Sequence, residues 1–358
     1  MFRLTRRKVI GYRAKRPMNY LIFQPVHEEL ARDPRLAFLF WGKLHGRREA
    51  RALYERAGAE RVRVVPNFVG RYYPFDLYVS ADFSIASPRA HKKVHMFHGV
   101  SFKNHAVSPH AREYDAVFVV GPYMERQFVR RGIFEEGDPR MRRVGMPKLD
   151  RLLGGTLDRA RILEDLGCRA DRPTVLYAPT WGDQSSLGIM GEDVLRNLCG
   201  RGLNLVVKLH DNSYDPRKNP VRWAERLAAL AHADLAVGRT ADVVPLLFAA
   251  DVLISDASSV SNEFLLLDRP IIFLEFEGQL DAFRESADVE TWGRKVGETV
   301  RNAADIGGAV DRALADPRAL SEIRRQAARD IFYGPGGATA RAVAEIYRLL
   351  ELDPPSMR

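Results

Sequence analysis

Cysteine is nearly missing from this chain of 358 residues, which has only Cys168 and Cys199. Two such residues make no disulfide framework and no metal-ligand spacing, and they suit a reducing compartment. Long apolar runs are missing too. No stretch approaches the ~20 residues that span a bilayer, and no apolar core follows the basic N-terminus as it would in a secretory leader. Internal repeats and low-complexity tracts are absent. Acid is absent from the first sixteen residues, which carry Arg3, Arg6, Arg7, Lys8, Arg13, Lys15 and Arg16. What remains is a globular chain, expected in the cytoplasm.

Positive charge is plentiful. The net charge is +9 and the pI about 9.6. That balance draws polyanions: nucleic acid, anionic lipid or phosphorylated polymer. The basic residues are spread along the chain, with no recognised nucleic-acid motif or aromatic platform, so no specific nucleic-acid partner is expected. Arg3 to Arg16 is a candidate for contact with an anionic membrane, at up to ~1 kcal/mol per charge. A frayed, merely soluble terminus is the competing reading.

The hydrophobic pattern alternates between short apolar runs and helical spacing, the mark of an α/β fold with parallel sheets. Tyr20 to Phe23, Leu36 to Phe40, Arg61 to Val65, Phe75 to Ser80, Val94 to His98 and Asp115 to Val120 read as strands. Residues 144–156, rich in glycine and proline, read as a linker. A second alternating set begins at Pro173, and the chain ends in three helical stretches: 306–315, 320–332 and 338–350. The expected architecture is two Rossmann-like halves with a cleft between them. The boundaries are 1–150, 151–335 and a C-terminal helix and tail at 336–358.

The clearest unit is DVLISDASSVSNEFLLLDRPIIFLEFE at 251–277. A buried strand, a turn, a helix stopped by Arg269-Pro270 and a second strand make a βαβ unit. Ligands of parallel sheets gather at the carboxyl ends of strands. Asp256, Ser258 and Ser259 stand at such an end, where a helix start suits phosphate. Plain helix capping by the serines competes with that reading. Glu263 lies four residues after Ser259, outside the capping-box spacing. It either faces a ligand or sits on a solvated helix face.

Three other strand ends carry polar residues. His98-Gly99-Val100-Ser101-Phe102-Lys103 follows the Val94 strand: His98 can exchange a proton near neutral pH, and Lys103 can hold a phosphate. A hydrogen-bonded structural role for His98 competes, with His95 and His105 as the next candidate bases. Zinc is not expected, because no cysteine accompanies these histidines. Thr180, in Tyr177-Ala178-Pro179-Thr180-Trp181, is a donor-site candidate set against an ordinary strand-to-loop turn. In Lys208-Leu209-His210, alternation puts Lys208 and His210 on one face, a pairing that suits a diphosphate.

Together and in order, HGVSFK at 98–103, GMPKLD at 145–150, YAPTW at 177–181, KLH at 208–210 and SDASS at 255–259 resemble the CDP-glycerol glycerophosphotransferase family. The resemblance spans roughly residues 94–280. It departs from the family pattern at Gly182, Asp211 and Glu263. It implies a GT-B fold, with nucleotide held mainly by the C-terminal domain. It implies His98 as catalytic base, His210 as a second essential histidine near the donor diphosphate, and Ser258 and Ser259 as phosphate-binding serines. The implied reaction moves a polyol phosphate from CDP-glycerol, or a related CDP-polyol, to a lipid-linked or polymeric glycan, releasing CMP at the inner face of the cell membrane. It implies no required cofactor, and leaves room for magnesium on the diphosphate. A GT-B glycosyltransferase or UDP-sugar epimerase is the nearest rival, and a basic nucleic-acid-binding protein the rival from another class.

Overall fold

A computed structural model of the chain describes residues 7–42, 47–56, 62–81, 83, 87–97, 99, 107–230, 232–256, 258–279 and 293–355. The chain forms two compact units. The first runs to residue 153 and takes up the chain again from 330; the second holds 154–329.

The first unit is built on six parallel strands: β1 (Lys8–Ala14), β2 (Leu36–Gly42), β3 (Leu77–Ser80), β4 (Lys92–Met96), β5 (Ala116–Val119) and β6 (Met141–Arg143). Their order is β2-β1-β3-β4-β5-β6. Parallel strands are covered on both faces, which is why β3 and β5 are buried at every position.

Some expectations fail here for identifiable reasons. Arg61 to Val65, read as a strand, gives only an isolated bridge from Val64 to Phe40 among its described residues, since Pro66 and the helix Asn67–Tyr72 follow at once. Tyr20 to Phe23 is helical, inside Pro17–Leu30. A four-residue apolar run cannot be told from a buried helix turn by periodicity alone, and a proline such as Pro25 is disfavoured inside a helix. Pro17 at the helix start and the Asn19 side chain offset that cost. Asn19 Oδ1 accepts the N–H groups of Lys15 and Arg16, both at 3.0 Å. Tyr20, Leu21, Ile22, Phe23, Val26 and Leu30 are buried.

Nor is the basic N-terminal segment a frayed tail over its described residues. Lys8–Ala14 is an interior strand between β2 and β3, with Ile10, Tyr12 and Ala14 fully buried. Lys8 pairs with Asp76 at 3.3 Å. Arg3 and Arg6 lie outside the described residues. Removing residues 1–16 would take away a sheet strand, so such a truncation says nothing about membrane contact.

The stretch expected as a linker holds the change from one unit to the other, at 153/154, and its first part is packed structure. Val144, Met146 and Leu149 are buried. Gly145 has φ +91°, and a Cβ there would lie 2.6 Å from the Tyr333 carbonyl oxygen, so only glycine fits. Asp150 accepts the N–H groups of Ala338 at 3.1 Å and Thr339 at 2.7 Å, capping the helix Ala338–Leu350 from a distant part of the chain. The same helix is held at its other end by Asp33, which accepts from Tyr347 Oη at 2.9 Å. The Arg35 guanidinium beside Asp33 holds that carboxyl down to about 2. GMPKLD thus clasps the C-terminal helix to the first sheet.

The second unit has strands β7 (Thr174–Tyr177), β8 (Asn204–Val207), β9 (Leu235–Val237), β10 (Val252–Ser255), β11 (Ile271–Leu274) and β12 (Glu298–Val300). The order is β12-β11-β10-β7-β8-β9, all parallel. This is the doubly wound Rossmann order, and strand order reverses between β7 and β10. Helices Ser186–Leu198 and Ile306–Ala315 pack on one face, burying Leu187, Val194, Leu198, Ile306 and Val310. Among the described residues, no helix is long and apolar enough to cross a membrane. The α/β class and the two Rossmann-like halves stand as expected.

Candidate functional site

Crevices of doubly wound sheets open at the carboxyl ends of the strands flanking the reversal. In the second unit those ends are Ala178 to Trp181 after β7 and Asp256 to Ser259 after β10. They are joined by one carboxylate. Asp256 is 1% exposed. Its Oδ1 accepts Thr180 N–H at 2.8 Å, and its Oδ2 accepts Thr180 Oγ1 at 2.9 Å, Ser186 N–H at 3.0 Å and Ser186 Oγ at 2.9 Å. A buried carboxylate must be satisfied in this way. Asp256 and Thr180 therefore serve each other and the start of the Ser186–Leu198 helix. Below the turn, Arg294 donates to the Asp256 carbonyl at 2.9 Å and to Gln279 Oε1 at 2.9 Å, and its guanidinium lies over the Phe273 ring. Burial lowers the Arg294 pKa, opposed by Glu275.

The serines fall differently. The helix after them is short, Val260–Phe264, and continues as a 3-10 turn to Leu267. Ser259 takes the capping position but makes no side-chain cap bond. Ser258 Oγ accepts from Val260 N–H only at 3.4 Å, the weak end of the range. Capping is thus a poor account of two half-buried hydroxyls. Glu263 is 2% exposed, which rules out the solvated helix face.

β8 ends at Val207, so Lys208, Leu209 and His210 lie beyond it. Lys208 donates to the Leu209 carbonyl at 2.9 Å. Burial lowers its pKa, with Asp211 pulling the other way. His210 caps a 3-10 turn, Asp211–Tyr214, and its Nδ1 accepts Asn212 N–H at 3.1 Å. The Trp181 indole stacks on the His210 ring, centroids 5.9 Å apart and planes at 30°. This contact ties the β7 end to the β8 end. At the β9 end, Arg239 lies over the Tyr214 ring at 4.8 Å, and in the segment after β8 Lys218 donates to Asn212 Oδ1 at 2.8 Å.

The carboxyl ends of four strands thus carry hydroxyls, an imidazole and the cations Lys208, Lys218 and Arg239, a set that suits an anionic ligand. Sequence reading found Lys208, His210 and the serines. It missed Trp181 as a neighbour of His210, and it missed Arg239, Lys218 and Arg294. Arg239 had a signal, since it follows the β9 strand by two residues. Arg294 had none.

His98 and Lys103 lie outside the described residues. His95 is 1% exposed and stacks on Phe83 with centroids 3.9 Å apart, with Phe97 and Tyr114 edge-on. It is a core histidine, which removes it as a candidate base. His110 bonds Glu113 at 2.6 Å on the surface. Among the described residues, no group of three or more His, Cys, Asp or Glu could hold a metal ion.

Known proteins resemble this chain in sequence and in fold. Residues 83–347 match the family described as CDP-Glycerol:Poly(glycerophosphate) glycerophosphotransferase. A teichoic acid glycerol-phosphate primase of Bacillus spizizenii is 28% identical over 185 residues, which are 49% of this chain and 44% of the primase. The match thus spans less than half of that relative's length. Among solved structures, a variant of a wall teichoic acid polymerase aligns with a TM-score of 0.72 at 16% identity, over 96% of this chain and 89% of the other. A UDP-N-acetylglucosamine 2-epimerase aligns at 0.63 and 13%, over 99% of both. These structural likenesses show the fold, two Rossmann-like units of the GT-B class.

Proposed function

The chain belongs to the CDP-glycerol:poly(glycerophosphate) glycerophosphotransferase family, and from that premise we propose that it transfers glycerol phosphate from CDP-glycerol to a hydroxyl of a lipid-linked or polymeric glycan. The acceptor oxygen attacks the phosphorus that bears glycerol. The bond from that phosphorus to the oxygen of the CMP phosphate breaks, and CMP leaves with the electron pair. His98 takes the acceptor proton. Lys103, Lys208, His210, Ser258 and Ser259 offset charge on the phosphate oxygens, the largest contribution in transfers of this kind. Asp256 and Thr180 brace that end of the site, and the buried Glu263 lies in the helix just behind the serines. Magnesium, if it takes part, arrives on the donor diphosphate. The acceptor places the work at the inner membrane face, and a net charge of +9 supports such a partner.

One observation carries this reading: the pair of hydroxyls, Ser258 and Ser259, at the β10 end beside the strand-order reversal and without effective capping duty. The rival glycosyltransferase and epimerase readings share the fold, as the epimerase likeness indicates, so only the donor separates them. Nucleic-acid binding has less support. Much of the positive charge is engaged in internal pairs, such as Arg126–Asp330, Arg143–Glu125, Arg159–Asp251 and Arg172–Asp234.

The double change Ser258→Ala, Ser259→Ala should weaken CDP-glycerol binding by on the order of 1–3 kcal/mol, the worth of hydrogen bonds to a charged group. Calorimetric titration of a variant with an unchanged melting curve measures it. Unchanged affinity would remove the serines from the donor site.

A further inference from the structure

A neutral imidazole donates a hydrogen bond from one ring nitrogen and accepts at the other. In His210 the accepting nitrogen is Nδ1, because the Asn212 backbone N–H points at it from 3.1 Å. That N–H cannot turn away. It belongs to the 3-10 turn Asp211–Tyr214, where Ser213 N–H bonds the His210 carbonyl at 2.8 Å and Asp215 N–H the Asn212 carbonyl at 3.3 Å. Asn212 is 6% exposed, and its side chain is held by Lys218 at 2.8 Å. The proton of the neutral ring therefore sits on Nε2. A second proton, on Nδ1, would set two N–H donors against each other.

The other face of the ring is fixed by Trp181. The indole stacks on the imidazole, and it follows Thr180, whose N–H and hydroxyl are both bound to buried Asp256. A continuous chain of contacts thus runs from Asp256 through Thr180 and Trp181 to His210, and back through Asn212 to Lys218. Among the described residues, Lys208 and Asp211 flank the ring in sequence, Lys218 bonds Asn212 and Arg239 lies over Tyr214.

We propose that His210 works as a neutral imidazole in the Nε2–H form, and that Trp181 and the Asn212 amide are positioning groups that hold it there. This deepens the transferase reading and rests on it. Nε2–H donates a hydrogen bond to a phosphate oxygen of the donor, and His210 neither gains nor loses a proton through the transfer. The acceptor proton goes to His98, and the electron pair of the broken phosphorus–oxygen bond stays on CMP.

Two measurements test this. In the full chain labelled with nitrogen-15 at histidine, with the His210→Gln spectrum assigning the resonances, Nδ1 of His210 should show the unprotonated shift and Nε2 the protonated one at neutral pH. An imidazolium, or the proton on Nδ1, would overturn the proposal. The reading needs no turnover, so it decides the tautomer whatever the donor proves to be. The second measurement is kinetic, with CDP-glycerol as donor. Trp181→Ala should lower kcat about tenfold, roughly one well-placed hydrogen bond, while the KM for CDP-glycerol moves less than about threefold. Trp181→Phe keeps a stacking face and should recover most of the loss. Equal kcat in the alanine variant and the unaltered protein would remove Trp181 as a positioning residue. A merely structural role for Trp181 would instead lower the melting temperature and alter kcat and KM together. Failure of the unaltered protein to turn over CDP-glycerol would count against the donor reading, and the nitrogen shifts would still decide the state of the ring.

Discussion

A His98→Ala protein should keep its melting curve and its affinity for CDP-glycerol and lose about 10²–10⁴-fold in turnover, the usual worth of general-base help. His98 follows the end of β4 by two residues and precedes Gly99, and strand ends are where parallel sheets place their chemistry. A free imidazole, with an ordinary pKa of about 6.5, is mostly neutral above pH ~7 and able to accept a proton. His95, three residues earlier, supplies the contrast. It is locked among Phe83, Phe97 and Tyr114, and its loss should cost stability before it costs rate. If a well-folded His98→Ala protein turns over CDP-glycerol at a near-normal rate, His98 is not the base. His105 then becomes the next histidine to test, since His95 is enclosed.

Asp256→Ala should be among the most damaging single changes to the second unit. The carboxylate is buried and takes four hydrogen bonds from Thr180 and Ser186. Removing one partner of a buried charged network costs about 3–5 kcal/mol, because the donors left behind have no water to turn to. Urea unfolding followed by tryptophan fluorescence should show the midpoint falling with little change in slope. Asp256→Asn keeps the shape but turns an amino group toward a donor, so it should fall between the two. A loss below about 1 kcal/mol for the alanine variant would mean that these bonds are replaced by solvent, and that the turn is less closed than its geometry indicates.

Much of the fold could be read from sequence because buried parallel strands announce themselves as short apolar runs. β2, β5, β10 and β11 are of that kind. The runs that misled were those where length or composition was equivocal. Tyr20 to Phe23 is apolar for only four residues and is followed by Pro25, yet it is helical. Lys8 to Ala14 looks like part of a basic tail because arginine and lysine flank it, yet Ile10, Tyr12 and Ala14 alternate inward. β6 and β12 are three-residue edge strands, Met-Arg-Arg and Glu-Thr-Val, with no apolar run to mark them.

The site was legible by the same logic, and to the same depth. Strand ends located Thr180, Lys208, His210, Asp256, Ser258 and Ser259. What those side chains bond could not be seen. The Thr180–Asp256 pair spans 76 residues, and nothing local in either stretch signals the partner. Arg294 reaches the Asp256 carbonyl from 38 residues downstream out of a stretch without apolar periodicity. Trp181 stands in a quoted motif, but only the folded β7 and β8 ends show that its ring meets His210.

The central claim is the donor, and release of nucleotide from a panel of donors tests it most directly. Given CDP-glycerol, UDP-N-acetylglucosamine and UDP-glucose with a glycerol-phosphate-primed acceptor, the unaltered chain should release CMP from the first and leave both UDP-sugars intact. Turnover or epimerisation of a UDP-sugar, with CDP-glycerol untouched, would contradict the account and move this chain to the rival reading on the same fold.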